Sequence, residues 1–234
     1  MPGTTAMAGA MAENLARPEI MLIGAAAALA LGYGLFLLNH PPSLIRSVAK
    51  TVPVLLLALA GLIAGLPVMV VLALIACAAG DWLLSLEGES HFLGGLGAFL
   101  AGHLLYIGHF ASLAEPERFF ASDMGFLAFI LAALVLSVLT RLWPYLGGLR
   151  LPVIVYAVVI ASMAFAARAA DPGQLVLAGI AAFMVSDIIL AQDKFTPLSN
   201  SPLRKAMPWL VWLLYFSGQA MIVLGLMAGI PPVG

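Results

Sequence analysis

Charged residues are scarce in this sequence of 234 residues. Asp, Glu, Lys and Arg make up 9% of the chain, against about 25% in soluble domains, whereas 63% of the residues are apolar. A water-soluble fold of this size needs far more polar surface than these residues supply. The composition therefore excludes a soluble globular domain and indicates an integral membrane protein.

Cysteine and clustered basic residues are also nearly absent. Cys77 is the single cysteine and lies in an apolar run, which excludes an internal disulfide and a Cys-based zinc site. The net charge is -1 with scattered basic residues, and there is no Gly-rich nucleotide-binding motif, so nucleic-acid binding is excluded. The first nineteen residues lack a basic n-region, so we expect the first apolar segment to be retained rather than cleaved as a signal peptide.

Long apolar segments, separated by charges, prolines and turn residues, fill most of the chain. Because a bilayer core takes roughly 20 helical residues, they predict an all-α polytopic membrane protein with eight transmembrane helices. The predicted spans are 20–38, 51–66, 67–86, 92–112, 123–139, 151–167, 174–191 and 207–228. Only Gly65, Leu66 and Pro67 separate the second span from the third, so seven spans are the alternative.

The predicted domain organisation and orientation follow from these spans. Residues 20–228 form a single transmembrane domain, preceded by a non-membrane segment at 1–19 and followed by a tail at 229–234. Seven of the ten basic residues fall in the loops after the odd-numbered spans. Because cytoplasmic loops carry an excess of Lys and Arg, both termini are predicted on the non-cytoplasmic side.

Three short segments of the first half resemble segments of the second half in the same order. Residues 50–54 resemble 150–153, 80–85 resemble 186–191, and 99–103 resemble 215–219. These matches predict a four-plus-four repeat with halves 20–112 and 123–228, both in the same orientation around a central cavity. The alternative is that matches this short are coincidental.

Two acidic residues, Asp81 and Asp187, are the only charged residues inside the predicted spans that do not lie at a span end. A charge in a transmembrane helix costs at least about 2.5–3.5 kcal/mol, so each needs a reason to be there. They lie five and four residues before the predicted ends of the third and seventh spans, which places them at matching depth toward the cytoplasmic side. We expect them to face one cavity; the alternative is that each only hydrogen-bonds a neighbouring helix.

Further candidates for substrate binding lie near the two aspartates. Four are polar or aromatic residues of the fourth and eighth spans, and two are basic residues that could hold a lipid phosphate: His103, Tyr106, Tyr215, Gln219, Lys50 and Lys194. Structural roles for His103 and Gln219, and a role in topology for the lysines, are the alternatives. His103 and His109 are six residues apart and splay around the helix, so no metal and no cofactor is predicted.

The order and spacing of these motifs resemble the YhhN-like lysoplasmalogenase family, over nearly the whole chain from Ile20. The motifs are Gly80-Asp81-Trp82-Leu83-Leu84, Phe92-x-x-Gly95, Phe99-x-x-x-His103-x-x-Tyr106, Ser186-Asp187 with Lys194-Phe195, and Tyr215-x-x-x-Gln219. The resemblance implies hydrolysis of the vinyl-ether bond of lysoplasmalogens, which releases a fatty aldehyde and glycerophosphoethanolamine or glycerophosphocholine. It also implies a lysophospholipid substrate within the bilayer, water as co-substrate and no metal requirement.

The intramembrane residues suit that chemistry, because acid hydrolysis of a vinyl ether needs a proton donor and a negative charge near an oxocarbenium ion. We expect Asp81 and Asp187 to divide these roles, with Asp187 favoured as the base because Lys194 is nearby in sequence; the reverse assignment is open. His103, Tyr106 and Gln219 would orient water or glycerol oxygens. A proton-coupled transporter that uses the same aspartates and a lipid-binding scaffold without turnover are the competing functions.

Overall fold

The structure is a computed structural model that describes residues 17–197 and 202–230, and within these ranges it contains helices but no strands. The eight α-helices are α1 (Pro18–Gly32), α2 (Leu44–Ile63), α3 (Val68–Leu84), α4 (Glu89–Leu113), α5 (Ser122–Leu142), α6 (Arg150–Ala170), α7 (Gln174–Phe195) and α8 (Pro202–Ala228). The predicted all-α fold is confirmed. Most of the predicted N-terminal segment and of the C-terminal tail lies outside the described residues.

Within the described part of the chain, seven helical stretches are long and apolar enough to cross a bilayer. The remaining apolar helix, α3, has 17 residues, which at 1.5 Å per residue is about 25 Å. That length is at the short end of the range for membrane-spanning helices. The chain is therefore a multi-pass membrane protein.

The uncertain boundary between the second and third spans is a well-formed helix end. Gly65 has a positive φ of 79° and donates its N–H to Leu62 O at 3.1 Å, while Leu66 donates to Gly61 O at 2.8 Å. This pair of bonds after a left-handed glycine is the Schellman arrangement that ends helices. Pro67 then precedes the first residue of α3. The turn separates two helices, as the eight-span prediction required.

Helix α2 begins seven residues earlier than predicted, and this changes the position of Lys50. Ser43 caps the helix, because its hydroxyl oxygen accepts the backbone N–H of Arg46 at 3.3 Å. The sequence analysis placed Lys50 in a loop, because charges were used to mark span boundaries. In the structure Lys50 lies inside α2, so Asp81 and Asp187 are not the only charges within helices.

Close helix contacts occupy corresponding places in the two halves. In the aligned halves Gly102 on α4 matches Gly218 on α8, and Ala73 on α3 matches Gly179 on α7. A Cβ added at Gly102 would lie 3.1 Å from Ala73 O, and one added at Gly218 would lie 2.7 Å from Gly179 O. Small residues thus allow close packing of α3 on α4 and of α7 on α8. This correspondence supports the repeat, which stays a prediction.

The buried core is built by seven of the eight helices. The main cluster of buried apolar residues includes side chains from every helix except α5. Helix α5 packs mainly against α6 and contributes Leu142 to a separate small cluster. Contacts between α4 and α6 and between α2 and α8 join the two halves. This packing leaves a cavity at one end of the bundle, where α3 and α7 end and α2 and α8 begin.

Candidate functional site

The cavity has a volume of about 300 Å³ and brings both aspartates together. Asp81 comes from the last turn of α3, and Asp187 lies eight residues before the end of α7, which extends four residues beyond the predicted span. Counted from the helix ends their depths therefore differ, yet both side chains line the same cavity. Of the predicted substrate-binding residues, those that line it are Lys50, Lys194 and Tyr215.

Asp81 has two partners that stabilise a negative charge. The residue is 1% exposed, and its Oδ1 atom lies 3.4 Å from the Lys50 ammonium nitrogen. The Tyr215 hydroxyl donates a hydrogen bond of 2.6 Å to Oδ2. Because a cation and a short hydrogen bond both favour the ionised form, this environment suits a carboxylate anion.

Asp187 has partners of a different kind. The Tyr156 hydroxyl donates to its Oδ2 atom at 3.2 Å, and the Nε2 atom of His103 lies 3.5 Å from the same oxygen. Lys194, which the sequence analysis placed near Asp187, instead holds its ammonium 4.7 Å from the centre of the Phe92 ring. Asp187 therefore has an imidazole, rather than an ammonium, as its basic neighbour.

The hydrogen bonds of His103 limit the protonation of the pair that it forms with Asp187. His103 Nδ1 lies 2.7 Å from Phe99 O, and a carbonyl only accepts, so Nδ1 carries a hydrogen. In a neutral imidazole Nε2 is then an acceptor, and it would face an acceptor oxygen of an ionised carboxylate. The contact is attractive only when one proton is shared, either on Nε2 or on Asp187. Within the described residues Nε2 has no hydrogen-bond partner and lies 3.5 Å from Asp187, so the pair is held by proximity rather than by a hydrogen bond.

The two aspartates obtain their partners in a crossed pattern. Asp81 in the first half accepts from Tyr215 on α8, and Asp187 in the second half faces His103 on α4. Each aspartate also has a partner on the second helix of its own half, namely Lys50 on α2 and Tyr156 on α6. The site is thus assembled from both halves of the chain.

Tyr106 and Gln219 lie deeper and do not line the cavity. The Tyr106 hydroxyl donates to Gln219 Oε1 at 2.7 Å, and both side chains are fully buried. His103 is also absent from the cavity lining and reaches the site only through Asp187. These three side chains were expected to contact water or glycerol, but none of them lines the cavity in the structure. Tyr106 and Gln219 instead link α4 to α8.

Several cavity residues were missed by the sequence analysis. Arg46 lines the cavity and donates to Ser85 O at 3.5 Å, whereas its charge had been assigned only to topology. Tyr33 lines it from a π-helical turn, Tyr33–Leu37, that continues α1. Tyr156, which contacts Asp187, was also overlooked. Both tyrosines could have been singled out from the sequence, because each places a hydroxyl inside an otherwise apolar span, where it needs a hydrogen-bond partner.

Metal ligands do not cluster in the part of the chain that the structure describes. Across 17–197 and 202–230, no three His, Cys, Asp or Glu side chains come together in a group that could hold a metal ion. The described cavity offers two carboxylates, the hydroxyls of Tyr33 and Tyr215 and basic side chains, and the His103 imidazole and the Tyr156 hydroxyl reach it through Asp187.

Comparison with known proteins identifies relatives over most of the helical region. The model of the YhhN family matches residues 45–226. Curated proteins named lysoplasmalogenase from Mycobacterium bovis and Mycobacterium tuberculosis are each 35% identical over 163 residues, which is 67% of this chain and 59% of theirs. The chain thus spans about three fifths of the length of these relatives. No solved structure matches the chain at a significant level.

The family match includes both aspartates of the cavity and most of the helices that line it. Residues 45–226 contain both aspartates and all the side chains that contact them. The match covers more than half of the sequence and agrees with the motifs of the third, fourth, seventh and eighth helices. This chain therefore belongs to the YhhN family.

Proposed function

We propose that this protein hydrolyses the vinyl-ether bond of lysoplasmalogens, releasing a fatty aldehyde and a glycerophosphoethanolamine or glycerophosphocholine. Family membership and the two mycobacterial relatives named lysoplasmalogenase support this function. The observation that carries the proposal is the pair of buried aspartates in one cavity, because their partners differ in charge. Asp81 has an ammonium neighbour, whereas the basic neighbour of Asp187 is the imidazole of His103, whose Nε2 atom lies 3.5 Å from the carboxylate.

The proposed reaction starts with proton transfer to carbon. The Asp187–His103 pair delivers its proton, through Asp187, to the vinyl carbon farther from the ether oxygen, which leaves an oxocarbenium ion. The Asp81 carboxylate stabilises that cation and takes a proton from water as the water oxygen bonds to the carbon next to the ether oxygen. The product of this step is a hemiacetal. In glycosidases, a pair of carboxyl groups forms and stabilises the same kind of oxocarbenium ion.

Collapse of the hemiacetal restores the site. The glycerol oxygen leaves with the proton held by Asp81, and the hemiacetal hydroxyl returns its proton to the Asp187–His103 pair. The carbon–oxygen bond to glycerol breaks as the aldehyde forms. One water is consumed, and both aspartates return to their starting protonation states.

This division of roles reverses the sequence-based preference for Asp187 as the base. That preference depended on Lys194, whose ammonium lies over the Phe92 ring, while Lys50 is the lysine that neighbours an aspartate. The polarity of the substrate also favours Asp187 as the acid. The carbon that is protonated lies on the hydrocarbon side of the bond, and Asp187 borders apolar pockets, whereas Asp81 lies beside Lys50 on the polar side.

Basic residues of the cavity provide a site for the phosphate of the headgroup. Arg46 and Lys194 line the same cavity as the aspartates, together with Lys50. They lie at the end of the bundle that is predicted to be cytoplasmic, so we propose that the substrate headgroup enters from that side. A phosphate held there would leave the single hydrocarbon chain directed into the bilayer.

Purified full-length protein in detergent provides the test. Incubation with lysoplasmenylethanolamine should release aldehyde, measured by mass spectrometry, and an ester lysophosphatidylethanolamine of equal chain length should release no fatty acid. Turnover in detergent also separates an enzyme from a transporter, since no sealed vesicle or gradient is present. Absence of aldehyde from protein that elutes as a folded species, or cleavage of the ester substrate alone, would overturn the proposal.

A further inference from the structure

Apolar pockets extend from Asp187 toward α5 and α6. One pocket of about 60 Å³ is lined by Asp187, the Tyr156 ring and apolar side chains of α5, α6 and α7. A larger pocket of about 420 Å³ lies between α5 and α6 and shares Val135 and Ala161 with the first. The two pockets adjoin at these shared residues, and we call them together the α5–α6 groove.

The inner end of this groove distinguishes it from ordinary lipid-facing surface. A membrane protein exposes apolar side chains to lipid on all sides, so an apolar groove alone indicates no ligand. A carboxylate, however, is costly near hydrocarbon and is found there for a functional reason. The inner end of the α5–α6 groove is lined by the buried carboxylate of Asp187, the group that we propose to act as the acid. A hydrocarbon chain in the groove would therefore end beside this carboxylate.

The charges on the two sides of Asp187 fit a molecule with a phosphate at one end and a chain at the other. On one side is the cavity with Arg46, Lys50 and Lys194; on the other side is the α5–α6 groove. Along α6 the groove runs from Val153 to Phe165, about 18 Å at 1.5 Å per residue, away from the polar end of the bundle. A bilayer lipid whose headgroup occupies the cavity has its chain pointing in the same direction.

We propose that the α5–α6 groove binds the single hydrocarbon chain of the lysolipid and positions the bond to be cleaved beside Asp187. This inference rests on the proposed function, and it adds the route by which the chain reaches the site. The weak packing of α5, which contributes nothing to the main core, leaves the groove open to lipid along its length. Substrate can therefore enter sideways from the bilayer.

Chain-length dependence tests the groove through turnover. Ala161 borders both pockets, so Ala161→Phe should fill the groove and lower kcat/KM for an octadecenyl substrate by at least about tenfold, while an octenyl substrate changes less than threefold. Ala133 lies on α5, is exposed and borders neither pocket, so Ala133→Phe is the matched control with expected wild-type values for both substrates. Equal losses for both substrates in Ala161→Phe, or equal effects of the two variants, would contradict the groove.

Photo-crosslinking tests the groove without turnover, so its failure can be told from failure of the proposed function. The probe is an alkyl-ether lysophosphatidylethanolamine, which has no vinyl bond, with a diazirine near the chain end. Labelling of wild-type protein should map to peptides of α5 and α6 and should fall at least fivefold in Ala161→Phe but not in Ala133→Phe. Labelling confined to α1–α4, or spread evenly over all helices, would overturn the inference even if aldehyde is released. Labelling of α5 and α6 without aldehyde release would support the groove and reject the proposed reaction.

Discussion

The Tyr215 hydroxyl on α8 donates a 2.6 Å hydrogen bond to the Asp81 carboxylate on α3, so an acid of the first half is held by a helix of the second. Conversely, Asp187 on α7 of the second half is contacted by His103 on α4 of the first half, with 3.5 Å between Oδ2 and Nε2. The cavity exists only when both halves are packed together. Its chemistry should therefore respond to substitutions at this interface as well as to loss of the acids themselves.

Replacement of Tyr215 by Phe should lower activity while preserving the fold. Phenylalanine keeps the ring, which packs against Phe99 at a centroid distance of 5.6 Å, and removes only the hydroxyl. A hydrogen bond to a charged group contributes about 1.5–3 kcal/mol, so kcat should fall roughly 10- to 100-fold. Steady-state aldehyde release measures this effect. Tyr145→Phe, at an exposed tyrosine outside the cavity, is the control and should behave as wild type; a wild-type rate for Tyr215→Phe would remove Tyr215 from the site.

The Lys50–Asp81 pair should behave as a buried ion pair in thermal unfolding. Removing one partner of such a pair leaves an uncompensated charge and costs about 3–5 kcal/mol, so Lys50→Met should lower the unfolding temperature markedly. The double variant Lys50→Met/Asp81→Asn has no such charge and should recover most of the loss. Differential scanning fluorimetry in detergent measures both. Additive losses in the double variant would show that the two side chains are not energetically coupled.

The exposed ion pair between Arg118 and Asp123 is the matched comparison for the Lys50 and Asp81 variants. Arg118 donates two hydrogen bonds to Asp123, at 2.9 and 2.8 Å, on the surface. Exposed pairs contribute about 0.2–1 kcal/mol, so Arg118→Met should change the unfolding temperature only slightly. A loss as large as that of Lys50→Met would mean that burial is not the cause of the difference.

Helix number and the two acids could be predicted from the sequence because both depend on local composition. Apolar length identified the eight helices, and the cost of charge in a bilayer drew attention to Asp81 and Asp187. The start of α2 could not be found in this way. Charge was used to mark the end of a span, yet Lys50 lies within α2 because Asp81 neutralises it.

The partners of the acids depend on packing between distant helices, which no local pattern encodes. Tyr106 and Gln219 have the same polar character as Tyr215, but Gln219 lies one turn deeper along α8 than Tyr215 and pairs with Tyr106 below the cavity. Tyr156 was missed because a single tyrosine in an apolar span is usually structural, and only the approach of α6 to α7 brings it to Asp187. The roles of the site residues stay predictions, to be decided by the variants described here.

Close packing of α7 on α8 should make Gly218 intolerant of a methyl group. A Cβ at Gly218 would lie 2.7 Å from Gly179 O, so the helices must move apart, and such overpacking costs typically about 1–3 kcal/mol. Gly97→Ala on α4 is the control, since no atom lies within 4 Å of its added Cβ and alanine favours helix. Thermal unfolding in detergent should show a loss for Gly218→Ala and none for Gly97→Ala. Equal values for the two would contradict this packing.

His103 should act through Asp187 rather than on the substrate. Phenylalanine at 103 keeps an aromatic ring against Phe183, 4.6 Å away, but cannot share the proton of the pair. His103→Phe should therefore lower kcat at least tenfold, with KM within about twofold of wild type. His109→Phe on the same helix, at a buried histidine without contact to either aspartate, is the control. A wild-type kcat in His103→Phe would reject this role of His103.

Aldehyde release by the Asp81→Asn and Asp187→Asn variants tests the central claim most directly. Asparagine keeps the size of each side chain, and Asp123→Asn outside the cavity controls for the loss of a carboxylate. With lysoplasmenylethanolamine as substrate and mass-spectrometric detection, we predict that each cavity variant loses at least about 100-fold in kcat while eluting as wild type on size-exclusion chromatography, and that Asp123→Asn retains activity. Wild-type rates of aldehyde release from both cavity variants would contradict the account.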